Sequence, residues 1–96
     1  MTTRKGGIHV NTMYYVYVLK SEVDSNTYIG YSSDLKARFE SHNKGKNKST
    51  KHRAPFKLIY YEAYKNETDA RRREQELKNN NYKKEQLFMG ISNSLL

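Results

Sequence analysis

Ninety-six residues are enough for one domain and not for two. Nine tyrosines, three phenylalanines and no cysteine exclude disulfides and cysteine-rich zinc sites, and leave aromatic rings to supply much of the buried area. The net charge is +8, and between Lys36 and Lys57 stand eight Lys and Arg residues against one acid, Glu40. Such a concentrated basic segment is the footprint of a phosphate-backbone partner; a solvated face or a patch for anionic membranes is the plainer reading. No apolar run approaches the roughly 18 residues of a membrane span. The opening MTTRKGGIHVNT is basic but lacks the apolar stretch of a secretory signal. It reads as a flexible tail over residues 1–12, ahead of a domain over 13–90 and a short tail over 91–96. A cytoplasmic location is expected.

Tyr14 to Lys20, YYVYVLK, is aromatic and β-branched and predicts a strand. EVDSN over 22–26 is turn chemistry, and Thr27 to Tyr31, TYIGY, predicts a second strand pairing antiparallel with the first. Alternation places Tyr15, Tyr17 and Leu19 on one face. In SSDLKARFESHNKG, Ser33 or Asp34 can cap a helix that Gly45 closes. Leu35, Arg38, Phe39 and His42 then share a stripe, in which two of the four are polar. A lysine-rich loop runs from Lys44 to Pro55, and Phe56 to Tyr64 predicts a third strand. Thr68 is expected to cap a helix from about Asp69 to Asn79 with Ala70, Arg73, Glu74 and Leu77 inward. Tyr82 to Phe88 predicts a short final helix.

Four polar residues interrupt core-facing patterns: Tyr17, Arg38, His42 and Glu74. Each has a plain explanation. Tyr17 can be a packed strand aromatic, and Arg38 can form a salt bridge with Glu74. His42 can be a surface histidine whose charged form the helix end favours. Glu74 can be an exposed helix residue.

Taken in order, Tyr15-Val16-Tyr17, Tyr28-Ile29-Gly30, Arg38, His42 and Glu74 resemble the GIY-YIG nuclease family. The second half-motif is intact. The first has Tyr15 and Val16 where the family has Gly and Ile, but keeps the tyrosine, Tyr17. The run YSSDLKARFESHNKG looks like the family's first helix, and ARRREQELK like the later helix with its metal-binding glutamate. The likeness spans Tyr14 to Lys78 and is greatest to small stand-alone bacterial members. It implies an α/β fold of the α+β type, a three-stranded antiparallel sheet flanked by helices, in agreement with the elements read above.

The resemblance also implies hydrolysis of DNA phosphodiesters with Mg²⁺ or Mn²⁺. Glu74 would be a hard oxygen ligand for one such ion. Arg38 would offer its planar fork to phosphate oxygens. Tyr17 would be the general base or orient the water, its pKa of roughly 10 lowered by the metal and Arg38. Tyr28 would hydrogen-bond water or phosphate, His42 would move a proton or bind phosphate, and Gly30 would admit backbone or substrate closely. Independently, Lys44, Lys46, Lys48, Lys51 and Arg53, in a loop made flexible by small polar residues, are expected to grip the backbone regardless of sequence. Branched, nicked or single-stranded DNA, in repair or recombination, and RNA are all compatible substrates. Competing readings are a nucleic-acid-binding module on the same fold that does not cut, and a protein-interaction domain with a solvated basic loop.

Overall fold

A computed structural model describes residues 13–96; the tail expected over 1–12 lies outside the described residues. The first strand, β1 (Tyr14–Ser21), is central, flanked by β2 (Thr27–Ser32) and β3 (Phe56–Tyr64), and both pairings are antiparallel. The turn joining β1 to β2 is closed by side chains: Asp24 Oδ1 accepts from the Asn26 N–H at 2.9 Å, and Ser21 Oγ from the Val23 N–H at 3.0 Å.

The central strand is covered on both faces, so Val16, Tyr17, Val18 and Leu19 are all buried rather than alternating in and out. Val16, Val18 and Ile29 pack against Ala70 and Leu77 of α2 (Glu67–Asn79), and Leu87 and Phe88 of α3 (Asn81–Gly90) cover the same cluster. On the opposite face Tyr17, Leu19 and Phe56 lie under Leu35 and Phe39 of α1 (Leu35–Asn43). A bulge between Val18 and Leu19 shifts the β1–β3 register, so Ile59 and Tyr60, though consecutive, both pack on the Val16 face.

Helix ends follow from capping chemistry, with two corrections. Asp34 caps α1, its Oδ1 accepting from the Ala37 N–H at 3.1 Å, and Gly45 takes the left-handed φ of +70° just beyond the helix. The cap of α2 is Asn66 and not Thr68. Asn66 Oδ1 accepts the Thr68 N–H at 2.8 Å, so the helix starts earlier, at Glu67, which joins Asp69 in its first turn, where carboxylates suit the dipole. The last helix is longer than expected: Asn80 Oδ1 accepts from the Lys83 N–H at 3.1 Å, starting it at Asn81, and it runs to Gly90. Beyond it the chain forms turns, and Lys20 Nζ donates to the Leu95 carbonyl at 2.6 Å.

The polar members of the two helix stripes do not share one fate. Arg38 is exposed, while Leu35, Phe39 and His42 face inward. On α2, Ala70 and Leu77 are buried; Arg73 and Glu74 lie at the flanks. Arg73 grips Glu62 of β3 through Nε and Nη2, both at 3.0 Å, and reaches Glu76 at 2.9 Å. Glu62 also accepts from the Tyr60 hydroxyl at 2.6 Å and from Tyr64. This network ties α2 to the edge strand.

Candidate active site

Tyr17 stands at the middle of the central strand, with Gly30 opposite it on β2 and Tyr61 opposite it on β3. A Cβ built on Gly30 would meet Tyr17 Cζ and its hydroxyl oxygen at 2.4 Å. The close approach expected at Gly30 is therefore made by the Tyr17 ring itself. Tyr28, two residues earlier on β2, projects to the same side, its ring 6.4 Å from that of Tyr17 and 5.0 Å from His42.

His42 arrives from the last turn of α1 and is fully buried, not a surface residue. Its Nε2 lies 3.0 Å from the Tyr17 hydroxyl and its Nδ1 lies 2.9 Å from Thr50 Oγ1. Phe56 closes one side, 5.7 Å away edge-on. Sequence reasoning missed Thr50, which reads as a small spacer between lysines. The signal was indirect: a buried imidazole needs partners for both nitrogens.

Burial governs the protonation of this pair. It pushes the Tyr17 phenol well above its ordinary value; Tyr28 adds to the rise, the Arg38 charge opposes it, and the Glu74 carboxylate adds further. In the metal-free protein the desolvation of a phenolate outweighs the nearby guanidinium. The same burial, helped by Arg38, holds His42 below its ordinary 6.5, so it is neutral rather than favoured as a cation by the helix end.

The basic loop is tied down at its base and along its second half. Asn43 closes its base, with Oδ1 accepting the Phe56 N–H at 2.6 Å and Nδ2 donating to the Phe56 carbonyl at 3.2 Å. A 3-10 turn spans Lys51–Arg53. Arg53 is committed within the fold: Nε binds Asp24 at 2.7 Å and Nη2 reaches the Thr27 carbonyl at 3.4 Å. The Arg53 and Asn26 hydrogen bonds hold the Asp24 carboxyl down at about 2. Lys44, Lys46, Lys48 and Lys51 are exposed.

Glu74 does not pair with Arg38. Its carboxylate, with the side chain only 13% exposed, binds Lys78 at 2.9 Å, and the Lys78 ammonium stands 5.9 Å from the Tyr28 ring centre. Among the described residues there is no cluster of three His, Cys, Asp or Glu side chains suited to a metal. A carboxylate that already attracts a cation, without further protein ligands, suits an ion that keeps its waters and takes the rest of its shell from phosphate, as Mg²⁺ does. The donor set fits that ion and does not fit an all-protein zinc site.

Fold and site together define a small α+β domain: a three-stranded sheet whose central tyrosine meets a helix-borne histidine, with a helix-borne carboxylate near by. Residues 13–94 match the GIY-YIG catalytic domain, and the chain belongs to that family, which is generally one of endonucleases, typically dependent on divalent metal. The relatives are small proteins. The chain is 42% identical over 66 residues to the UPF0213 protein of Staphylococcus aureus (strain Mu3 / ATCC 700698), covering 68% of this chain and 79% of the relative. The match to UPF0213 protein SH2523 of Staphylococcus haemolyticus (strain JCSC1435) has the same identity and coverage. The solution NMR structure of UPF0213 protein BH0048 from Bacillus halodurans shares 38% identity over 80% of this chain and 83% of that one, with a TM-score of 0.52. Among the described residues no helix is long and apolar enough to cross a membrane.

Proposed function

We propose that this chain is a metal-assisted endonuclease that hydrolyses DNA phosphodiesters, with Tyr17, Tyr28, Arg38, His42 and Glu74 as its catalytic residues. The observation that carries this reading is the Tyr17 hydroxyl held 3.0 Å from Nε2 of a buried histidine whose Nδ1 already has a partner. Burial disfavours a phenolate, so the resting group is a phenol donating to neutral His42, with Nδ1–H donating to Thr50 Oγ1. Tyr17 then relays a proton. Its oxygen takes one from the attacking water while its own proton passes to Nε2, and the water oxygen bonds to phosphorus as the bond to the leaving oxygen breaks; that oxygen takes a proton from solvent, and His42 returns its own to solvent afterwards.

Arg38, exposed on α1, offers paired N–H donors to the phosphate oxygens as charge builds on them. Tyr28 borders the same space and donates to phosphate or water. One Mg²⁺ or Mn²⁺ on Glu74 would supply neutralisation of the phosphate and the leaving oxygen. Lys44, Lys46, Lys48 and Lys51 grip the backbone without reading sequence. A place in DNA repair or recombination suits an enzyme of this kind.

Cleavage of labelled DNA with Mg²⁺, Mn²⁺ or EDTA tests the reading, alongside two variants. Glu74→Ala abolishes metal-dependent cleavage and leaves binding within a few-fold. Replacing Lys44, Lys46 and Lys48 with Gln weakens binding for unrelated sequences alike and reduces the slope of log affinity against log salt by up to roughly 0.9 per lost contact on duplex DNA. Wild-type turnover in Glu74→Ala removes that residue from the site. Salt-dependent binding without cleavage by the wild-type protein makes the chain a binding module.

A further inference from the structure

We propose that the open cavity beside Tyr17 binds one unpaired nucleobase of the strand being cut; this rests on the nucleic-acid reading above. The cavity, of about 540 Å³, lies between α1 and the β1–β3 half of the sheet. One wall is Tyr61, the direct cross-strand partner of Tyr17, so the two residues share one face of the sheet. Tyr17 is buried, whereas Tyr61 is 52% exposed. Tyr15 meets Tyr61 edge-on at 5.9 Å, leaving a tyrosine face open to the cavity, and Leu58, Leu35 and Phe39 complete the apolar lining. Leu35 and Phe39 also pack on the Tyr17 cluster, so cavity and reaction centre share a wall.

The occupant follows from this chemistry. An exposed tyrosine face over an apolar floor accepts a flat aromatic group, and every base has such a face. Ser33 and Asp34 at the rim offer polar groups to a base edge, and Lys36 opens the basic segment that would hold the flanking phosphates. Tyr15 and Tyr17 are two residues apart on one strand, about 7 Å, or about two stacked nucleotide steps. A base in the cavity therefore belongs to a nucleotide within about two steps of the cut phosphate. Duplex bases are stacked and cannot enter, so the site selects single strands, flaps or loops. A second protein copy is a poorer occupant: the exposed apolar surface is little more than Tyr61 and Leu58, far short of the roughly 800 Å² per partner of a stable interface.

Binding measured in EDTA, so that nothing is cut, tests the site with two probes: a short fluorescein-labelled oligothymidylate and a chain of abasic sites of equal length. The wild-type protein binds the oligothymidylate roughly tenfold more tightly. Tyr61→Ala removes that difference while keeping the salt slope, which shows the variant is folded; Tyr61→Phe, which retains the ring, keeps the difference. Equal wild-type affinity for both probes overturns the proposal, as does base-dependent binding that survives in Tyr61→Ala. A dimer dissociated by Tyr61→Ala would assign the cavity to a second copy and also overturn it. The two readings fail separately. Metal-dependent cleavage with no base dependence leaves the nuclease and removes the base site; Tyr61-dependent base binding with no cleavage does the reverse.

Discussion

Gly30 lies directly opposite Tyr17 across β1 and β2, and the Tyr17 ring fills the space that any side chain at position 30 would need. The ring is enclosed and cannot move aside without leaving His42. Gly30→Ala is therefore expected to cost about 1–3 kcal/mol by overpacking and to lower turnover about 10²-fold or more by displacing the hydroxyl. Urea denaturation and single-turnover cleavage check this. Unchanged values for both would show that the ring has somewhere else to go.

Tyr17 and His42 are expected to act as one unit. Tyr17→Phe and His42→Gln should each reduce turnover by roughly 10²–10⁴-fold, and the double variant should be little worse than either single one. Multiplying losses would place the two residues in separate roles. The pH profile carries a second signature. Burial and Arg38 hold His42 below 6.5, so the proton acceptor is present at neutral pH and disappears only as pH falls through that lowered value. The acid limb of kcat/KM should lie below 6.5; a limb above it would contradict the assignment.

Thr50 is expected to position His42 rather than touch substrate. Its hydroxyl is the partner of Nδ1, and leaving that buried nitrogen unpaired costs about 1–3 kcal/mol. Thr50→Val preserves the shape and should lower kcat with little effect on KM, while Thr50→Ser should restore most of it. A Ser variant as poor as Val would reduce Thr50 to a packing residue.

The Glu62 network should make stability depend on acid. Burial raises the Glu62 carboxyl, but hydrogen bonds from Arg73, Tyr60 and Tyr64, with the Arg73 charge, overcome this and hold it below its ordinary 4.5. A carboxyl depressed in the folded state contributes stability that is present above about 4.5 and is lost as pH falls through the folded value. Glu62→Gln should lower the urea midpoint at pH 7 and flatten its decline on the acid side. An identical acid decline in wild type and variant would show that other carboxylates set it.

The strands were legible because apolar and aromatic runs with turn chemistry between them announce themselves; Phe56 to Tyr64 has the predicted bounds. The cap of α2 was not, because Asn66 and Thr68 are both good caps and the choice depends on where β3 releases the chain. Helical periodicity brought Arg73 and Glu74 to the flank of α2, but not their partners. Arg73 meets Glu62 only once β3 is in register beside the helix, whereas Glu74 meets Lys78 one turn on along α2 itself. The order of Tyr17, His42 and Glu74 pointed to the family. The direction of the Tyr17 shift was hidden because it depends on burial from both faces of the sheet. Thr50 was hidden because its partner lies on a different element.

The Asn43 amide grips Phe56 by both its N–H and its carbonyl, so the segment between them is a closed ring whose ends stay fixed whatever its tip does. Thr50 divides that ring. The side from Lys51 to Pro55 carries Arg53 and its carboxylate partner, while Lys44 to Lys48 presents three exposed lysines. Ring closure grows costlier only slowly with length, by about 0.6 kcal/mol per doubling. The arm from Lys44 to Lys48 is thus a cassette: residues can be inserted there, or another recognition sequence grafted in, while the imidazole stays moored at the other end.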